Sequence, residues 1–146
     1  MYSLLVFLSH SMSSDDAVVV HHVRKAIIHQ HCEIVAGSDI QHGPLSGSIQ
    51  EGISSCDVAV CIATARAEYV LSVGTYAIPP WIPQEMAFAA GCQLKIIPLV
   101  ENGVRVPDLK IPSDAVHIRF DRNNPVELVH SVSGAISDIQ RPVLLS

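Results

Sequence analysis

The chain has 146 residues, 49% of them hydrophobic and only 16% charged, with a formal net charge of −5. That length suits one domain, 1–146, with a core large enough to stand without disulfide or metal staples. The acidic balance and the lack of a basic stripe exclude a protein that grips nucleic acid through its phosphates. So lean a charged surface leads us to expect that another copy or a partner covers part of it.

The first eight residues are apolar but carry no basic lead and are followed at once by Ser9-His10-Ser11, which is too short for a signal peptide or membrane span. Cys32, Cys56, Cys61 and Cys92 show no C-x-x-C spacing, and three of them fall in or beside apolar runs, as reduced buried thiols do. A reduced, cytoplasmic protein without a membrane partner is the expectation. Ser3–Leu8 reads as a first strand. Ser13 to Asp16 has capping-box spacing, with Asp15 and Asp16 suited to the positive end of a helix that carries Val19, Val20, Val23 and Ile27 at helical spacing and stops near His31.

Glu33–Ala36 reads as a second strand, followed by a turn-rich loop through Gly37 to Pro44. Leu45–Ser54 reads as a helix, with Leu45, Ile49 and Ile53 spaced by four. Val58–Ala63 is an almost unbroken apolar run, as a central parallel strand covered on both faces requires. Ala65–Pro80 is a long connection with a helical turn at its start. A short Ala-rich helix then opens at Pro80 and ends before Gly91. Leu94–Val100 and Val116–Phe120 complete five strands, and Pro125–Ile139 is a closing helix. Strands alternating with helices predict an α/β fold: a flavodoxin-like, open five-stranded parallel sheet with helices on both faces.

The most informative residue is Glu85, on the short helix one turn after Trp81, the only tryptophan, and without a nearby basic residue in sequence. In an open α/β sheet its position falls near the crevice at the strands' carboxyl ends, where ligands bind. Trp81 and Glu85 share a helix face and can line one pocket. Ser9, His10 and Ser11 leave the first strand at its carboxyl end, where they can meet an adenine or ribose. Each has a plainer alternative: a solvated helix glutamate, a core anchor, and a helix cap. His29, His31 and Cys32 are metal-ligand types, but at the end of a helix they do not converge on one point.

The order of motifs resembles a Toll/interleukin-1 receptor (TIR) domain, of the bacterial enzymatic kind. Phe7-Leu-Ser-His-Ser11, Gly43-Pro-Leu-Ser-Gly-Ser-Ile-Gln-Glu-Gly-Ile53, Ser55 to Thr64, Trp81-x-x-x-Glu85 and Lys95-Ile-Ile-Pro98 carry the likeness in the right sequence. Two features depart from it: Ala36-Gly37 replaces the acidic residue many relatives carry after the second strand, and the connection before Trp81 is long. The resemblance implies cleavage of the nicotinamide–ribose bond of NAD⁺, giving ADP-ribose or a cyclic isomer. Glu85 would be catalytic and NAD⁺ the substrate, with no separate cofactor or metal. It also implies self-association through TIR–TIR contacts and a defence role with a downstream effector sensing the product. Asp39, His42, Gly43 and Leu45 then lie on a loop that closes the site against a neighbouring subunit. Arg66 and Tyr69, after the third strand, can contact phosphate or adenine, and surface residues of a mobile loop are an equal reading.

Nicotinamide leaves as a neutral molecule from a cationic ring, so one carboxylate facing the developing oxocarbenium is sufficient and no general acid is required. Two other classes compete. One is a non-catalytic TIR module that assembles complexes, favoured by the altered end of the second strand. The other is a nucleoside deoxyribosyltransferase-like enzyme, which also sets a glutamate at a ribosyl carbon. A response-regulator receiver is excluded, because it needs acidic residues where this chain has Ser9-His10-Ser11 and Thr64-Ala65.

Overall fold

Every apolar run read as a strand forms one in the computed structural model, which describes residues 3–36, 46–109 and 117–145. In chain order the elements are β1 (Leu5–Ser9), α1 (Ala17–His29), β2 (Glu33–Ala36), α2 (Gly47–Ser54), β3 (Val58–Ala63), β4 (Val70–Ser72), β5 (Thr75–Tyr76), α3 (Trp81–Gly91), β6 (Lys95–Glu101), β7 (Ile118–Phe120) and α4 (Pro125–Leu145). One sheet holds β2, β1, β3, β6 and β7 in that order, all parallel. This is the flavodoxin-like order, and its direction of winding reverses between β1 and β3. The ends of those two strands, Ser9 and Ala63, therefore flank the crevice where such sheets bind ligands.

Alternation along the strands divides the core in two. Val6 and Leu8 join Val58, Val60 and Ile62 beneath α1 and α4, packed by Val23, Ile27, Val132 and Ile136. Phe7 joins Ala59, Cys61 and Ala63 on the other face, beneath α2 and α3, with Ile49, Ile53, Ile82 and Met86. Every residue of β3 is buried, which explains its unbroken apolar run.

Several boundaries differ from the expectation for local reasons. Ser13 does cap, its Oγ accepting from the Asp15 amide, but a short 3₁₀ turn (Ser14–Asp16) intervenes before α1. α1 ends at His29, and the chain leaves it through His31 at a φ of 61°, the left-handed exit common after helices. Pro83 lies in the first turn of α3, where its missing N–H has no intrahelical acceptor to lose. α3 includes Gly91, and α4 continues past Ile139 to Leu145. Leu45 and Val116, read as the first residues of a helix and a strand, lie outside the described residues.

The connection from Ala65 to Pro80 was read without strands, yet it contains a hairpin. β4 and β5 pair antiparallel around Val73-Gly74, with Gly74 at a φ of 77°, as the second position of a type II turn demands. The hairpin is tied to the end of the sheet by the Tyr76 amide on the Gly103 carbonyl (2.9 Å) and the Arg105 amide on the Tyr76 carbonyl (3.0 Å). Gly103 has a φ of 94°, and a Cβ there would stand 2.7 Å from the Gly74 carbonyl oxygen. β4 itself is exposed throughout. Among the described residues no helix is long and apolar enough to cross a membrane.

Candidate active site

The buried residues of α3 are Ile82, Glu85, Met86 and Ala89, the spacing of a core-facing stripe. Glu85 thus occupies a position that packing alone would give to a hydrocarbon, and it is only 3% exposed. The alternative of a solvated helix glutamate is overturned. A carboxylate at such a place is costly unless hydrogen-bonded, and the end of β1 supplies a donor. Ser9 is the last residue of β1, two positions after Phe7 and so on the same face, towards α3. Its Oγ donates to Glu85 Oε1 at 2.5 Å, with Ser9 itself 1% exposed.

Cys61 of β3 stands opposite Ser9 in the parallel register. Burial, reinforced by the nearby charge of Glu85, pushes its thiol up to about 12 against weaker lowering by backbone hydrogen bonds. It is therefore a neutral wall beside the carboxylate. Trp81, one turn before Glu85, is half-buried against the core shared by α2 and α3. Ser9, Cys61 and Glu85 come together at the reversal point of the sheet, where folds of this order commonly bind ligands.

A second polar group adjoins the first. His10 is buried and its Nδ1 donates to the Ser11 carbonyl at 2.7 Å. Ser11 Oγ accepts from the Ser13 amide and from Arg66 Nη1, both at 2.9 Å. Asp16, read from sequence as a helix-dipole partner, is instead 1% exposed and accepts from Thr64 Oγ1 at 2.8 Å, Arg66 Nη1 at 2.9 Å and Arg122 Nη2 at 3.0 Å. Glu101 accepts from Arg122 Nε at 2.6 Å, Arg122 Nη2 at 2.7 Å and the Ala65 amide at 2.8 Å. Arg66 also pairs with the exposed Glu68. Burial pushes the Asp16 carboxyl up, but hydrogen bonds from Thr64, Arg122, Ser11 and Arg66 outweigh it and hold the group below its ordinary value. Hydrogen bonds that Arg122 donates to Glu101 in turn raise its guanidinium above the usual value, despite partial burial.

Sequence reasoning left Arg66 as either a phosphate or adenine contact or a surface loop residue; the structure engages it with Asp16, Ser11 and Glu68. Thr64, Glu101, Arg122 and Cys61 were missed as site neighbours. A signal for three of them was present. In a chain with so few charged or polar residues near its apolar runs, Thr64 follows β3, Glu101 ends β6 and Arg122 follows β7, each at a carboxyl end. Asp39, His42, Gly43 and Leu45 lie outside the described residues. Two cavities occur elsewhere. One of about 220 Å³ lies between Arg119, Asp121 and Glu127, and one of about 340 Å³ between His22, Val129 and His130. Neither of these two is lined by Glu85 or Trp81.

No family model and no curated protein matches the chain. Among solved structures it is similar to a CMP N-glycosidase of Clostridium botulinum, BcmB. The TM-score is 0.60, over 88% of this chain and 96% of that one, at 14% sequence identity. At that identity the likeness is one of fold, and it agrees with the open parallel α/β layer described above.

Proposed function

We propose that this protein is an N-glycosidase that breaks the bond between a base and C1′ of the ribose in a nucleotide, with Glu85 as its catalytic carboxylate and NAD⁺ as its substrate. One observation carries the reading: an acid sits in the core stripe of α3, enclosed and oriented by Ser9, at the point of the sheet where ligands bind. An acid there weakens the core unless it has a task, and a purely scaffolding module has none to give it.

In the reaction the C1′–N bond breaks and its electron pair leaves with nicotinamide, which departs neutral. Positive charge develops on C1′ and the ring oxygen. The Glu85 carboxylate, in a nearly dry setting, stabilises that charge and can accept a hydrogen bond from a ribose hydroxyl. Water then attacks C1′ and loses a proton, giving ADP-ribose; attack by the adenine of the same molecule would give a cyclic isomer instead. The resemblance to TIR domains supports NAD⁺, and with it self-association and a defence role with a product-sensing effector.

A second substrate reading comes from the fold likeness to the CMP N-glycosidase. Cytosine is a poorer leaving group than nicotinamide and needs a proton as it departs, which a lone ionised carboxylate does not supply. NAD⁺ is therefore the better match to the site. Incubating concentrated protein with NAD⁺ or with CMP and following free nicotinamide or cytosine by chromatography tests both. Release from NAD⁺ that disappears in Glu85→Gln is expected. Release that persists in Glu85→Gln, or no base from either nucleotide, would overturn the assignment. Turnover per molecule is expected to rise with protein concentration, and a flat dilution series would remove self-association from the account.

A further inference from the structure

Ser9 stands where the sequence suggested a contact to substrate, yet its hydroxyl is turned into the protein. We propose that Ser9 is a positioning residue, whose hydroxyl fixes the Glu85 carboxylate in one orientation and in its ionised form. This rests on Glu85 being the group that faces C1′. The Oγ to Oε1 distance of 2.5 Å is that of a charge-assisted bond, and both side chains are almost wholly buried.

The hydroxyl is itself held from several directions. β1 is paired on both sides, with β2 and β3, so its end has little freedom to shift. Ser9 lies opposite Cys61 in the register, and Phe7 precedes it on the same face. Just beyond it, Ser11 is fixed by Arg66 and by the Ser13 amide. Glutamate has three rotatable side-chain bonds, and an unrestrained head would sample orientations useless to the reaction. With Oε1 engaged by a donor on a strand paired on both sides, the carboxylate is held towards the end of β1. Cys61, a neutral thiol, adds no competing anion.

The test uses Ser9→Ala and Ser9→Thr with NAD⁺ and CMP as probes. In Ser9→Ala, kcat falls roughly tenfold to hundredfold with KM little changed, as expected when a charged hydrogen bond that orients the reacting group is lost. The acidic limb of the pH–rate profile moves to higher pH, because the ionised carboxylate has lost a donor that favours it. Ser9→Thr, which keeps the hydroxyl, restores most of kcat. A raised KM at unchanged kcat would mean that Ser9 touches substrate, and would overturn the proposal. Should Ser9→Ala fail to fold, Ser9→Cys, close in size but a weak donor, carries the same expectation.

A readout independent of turnover is the carboxyl-carbon NMR titration of Glu85. Its midpoint is expected to be higher in Ser9→Ala than in the parent protein. Equal midpoints overturn the positioning role even if the enzyme is active. A shifted midpoint in a protein that releases no base from either nucleotide overturns the catalytic reading, and the proposal with it.

Discussion

Two sets of buried acids lie at the carboxyl end of the same sheet, and they are treated in opposite ways. Asp16 and Glu101 are matched by Arg66 and Arg122, two cations for two anions, with Thr64 and the Ala65 amide completing the hydrogen bonds. Glu85 is held by a hydroxyl, beside a thiol that stays neutral. The first arrangement ties the start of α1 to the ends of β3 and β6 and to the turn after β7. The second orients a buried carboxylate by a hydroxyl at the end of β1. One is a clamp of ion pairs, and the other holds the carboxylate proposed above as catalytic.

The sharpest way to break that comparison is to neutralise Glu85. Glu85→Gln keeps the volume of the side chain, and it is expected to lower base release from NAD⁺ by roughly 10²–10³-fold, the size of loss seen when a charge-stabilising group is removed from an active site. Its urea unfolding midpoint should stay where it is or rise. A large drop in stability with activity retained would mean that Glu85 belongs with the clamp.

Arg122→Met tests the other side. Arg122 bridges Asp16 and Glu101, and its removal leaves two buried carboxylates short of their shared partner. Breaking a buried pair in this way costs about 3 kcal/mol, discounted to the low end because Arg122 is partly exposed. Urea denaturation at neutral pH would read it directly. A loss below about 1 kcal/mol, the range of exposed ion pairs, would show that water already screens the cluster.

A smaller effect with the opposite sign is expected for Glu85→Met. Its neighbours on α3 are Ile82, Met86 and Ala89, so an unbranched hydrocarbon chain fits the stripe and relieves the burial of a carboxylate. Stability is expected to rise by about 1 kcal/mol as activity disappears, the exchange common at functional sites. A loss of stability would show that the Ser9 contact more than offsets the burial of the charge.

What the sequence made legible follows from period and position. The five sheet strands were readable because each is a short apolar run, and β3 in particular has no polar residue to confuse its period. Glu85 was readable because, one turn after Trp81, it is the one charged residue of a mostly apolar helix. The hairpin was not, since Val70, Leu71 and Val73 are exposed and follow neither a helical nor a buried pattern. The ion cluster was legible only in that Thr64, Glu101 and Arg122 could each be placed at a strand end, not in their pairing. Asp16, Thr64, Glu101 and Arg122 are far apart in the chain, and only the parallel register brings the ends of β3, β6 and β7 together. Ser9 was placed at the right end of the right strand, but its bond to Glu85 was not foreseen. Period 2 sends its side chain to the face of Phe7, and α3 was the element waiting there.

The smallest expected effect concerns Asp16 and acid. Its folded carboxyl is held below the ordinary value of 3.8, despite burial, by donors from Thr64, Arg122, Ser11 and Arg66. The unfolded chain therefore binds this proton more readily than the folded one. The stability that Asp16 contributes is fully present above the unfolded value and is lost as pH falls through the folded one. Asp16→Asn has no charge to lose, so its deficit relative to the parent should shrink as pH is lowered from about 5 to about 3. Unfolding free energies measured at both pH values would show this convergence. A deficit that stays constant would mean that Asp16 holds Thr64 and the two arginines through geometry alone, and the clamp would then owe its strength to Glu101.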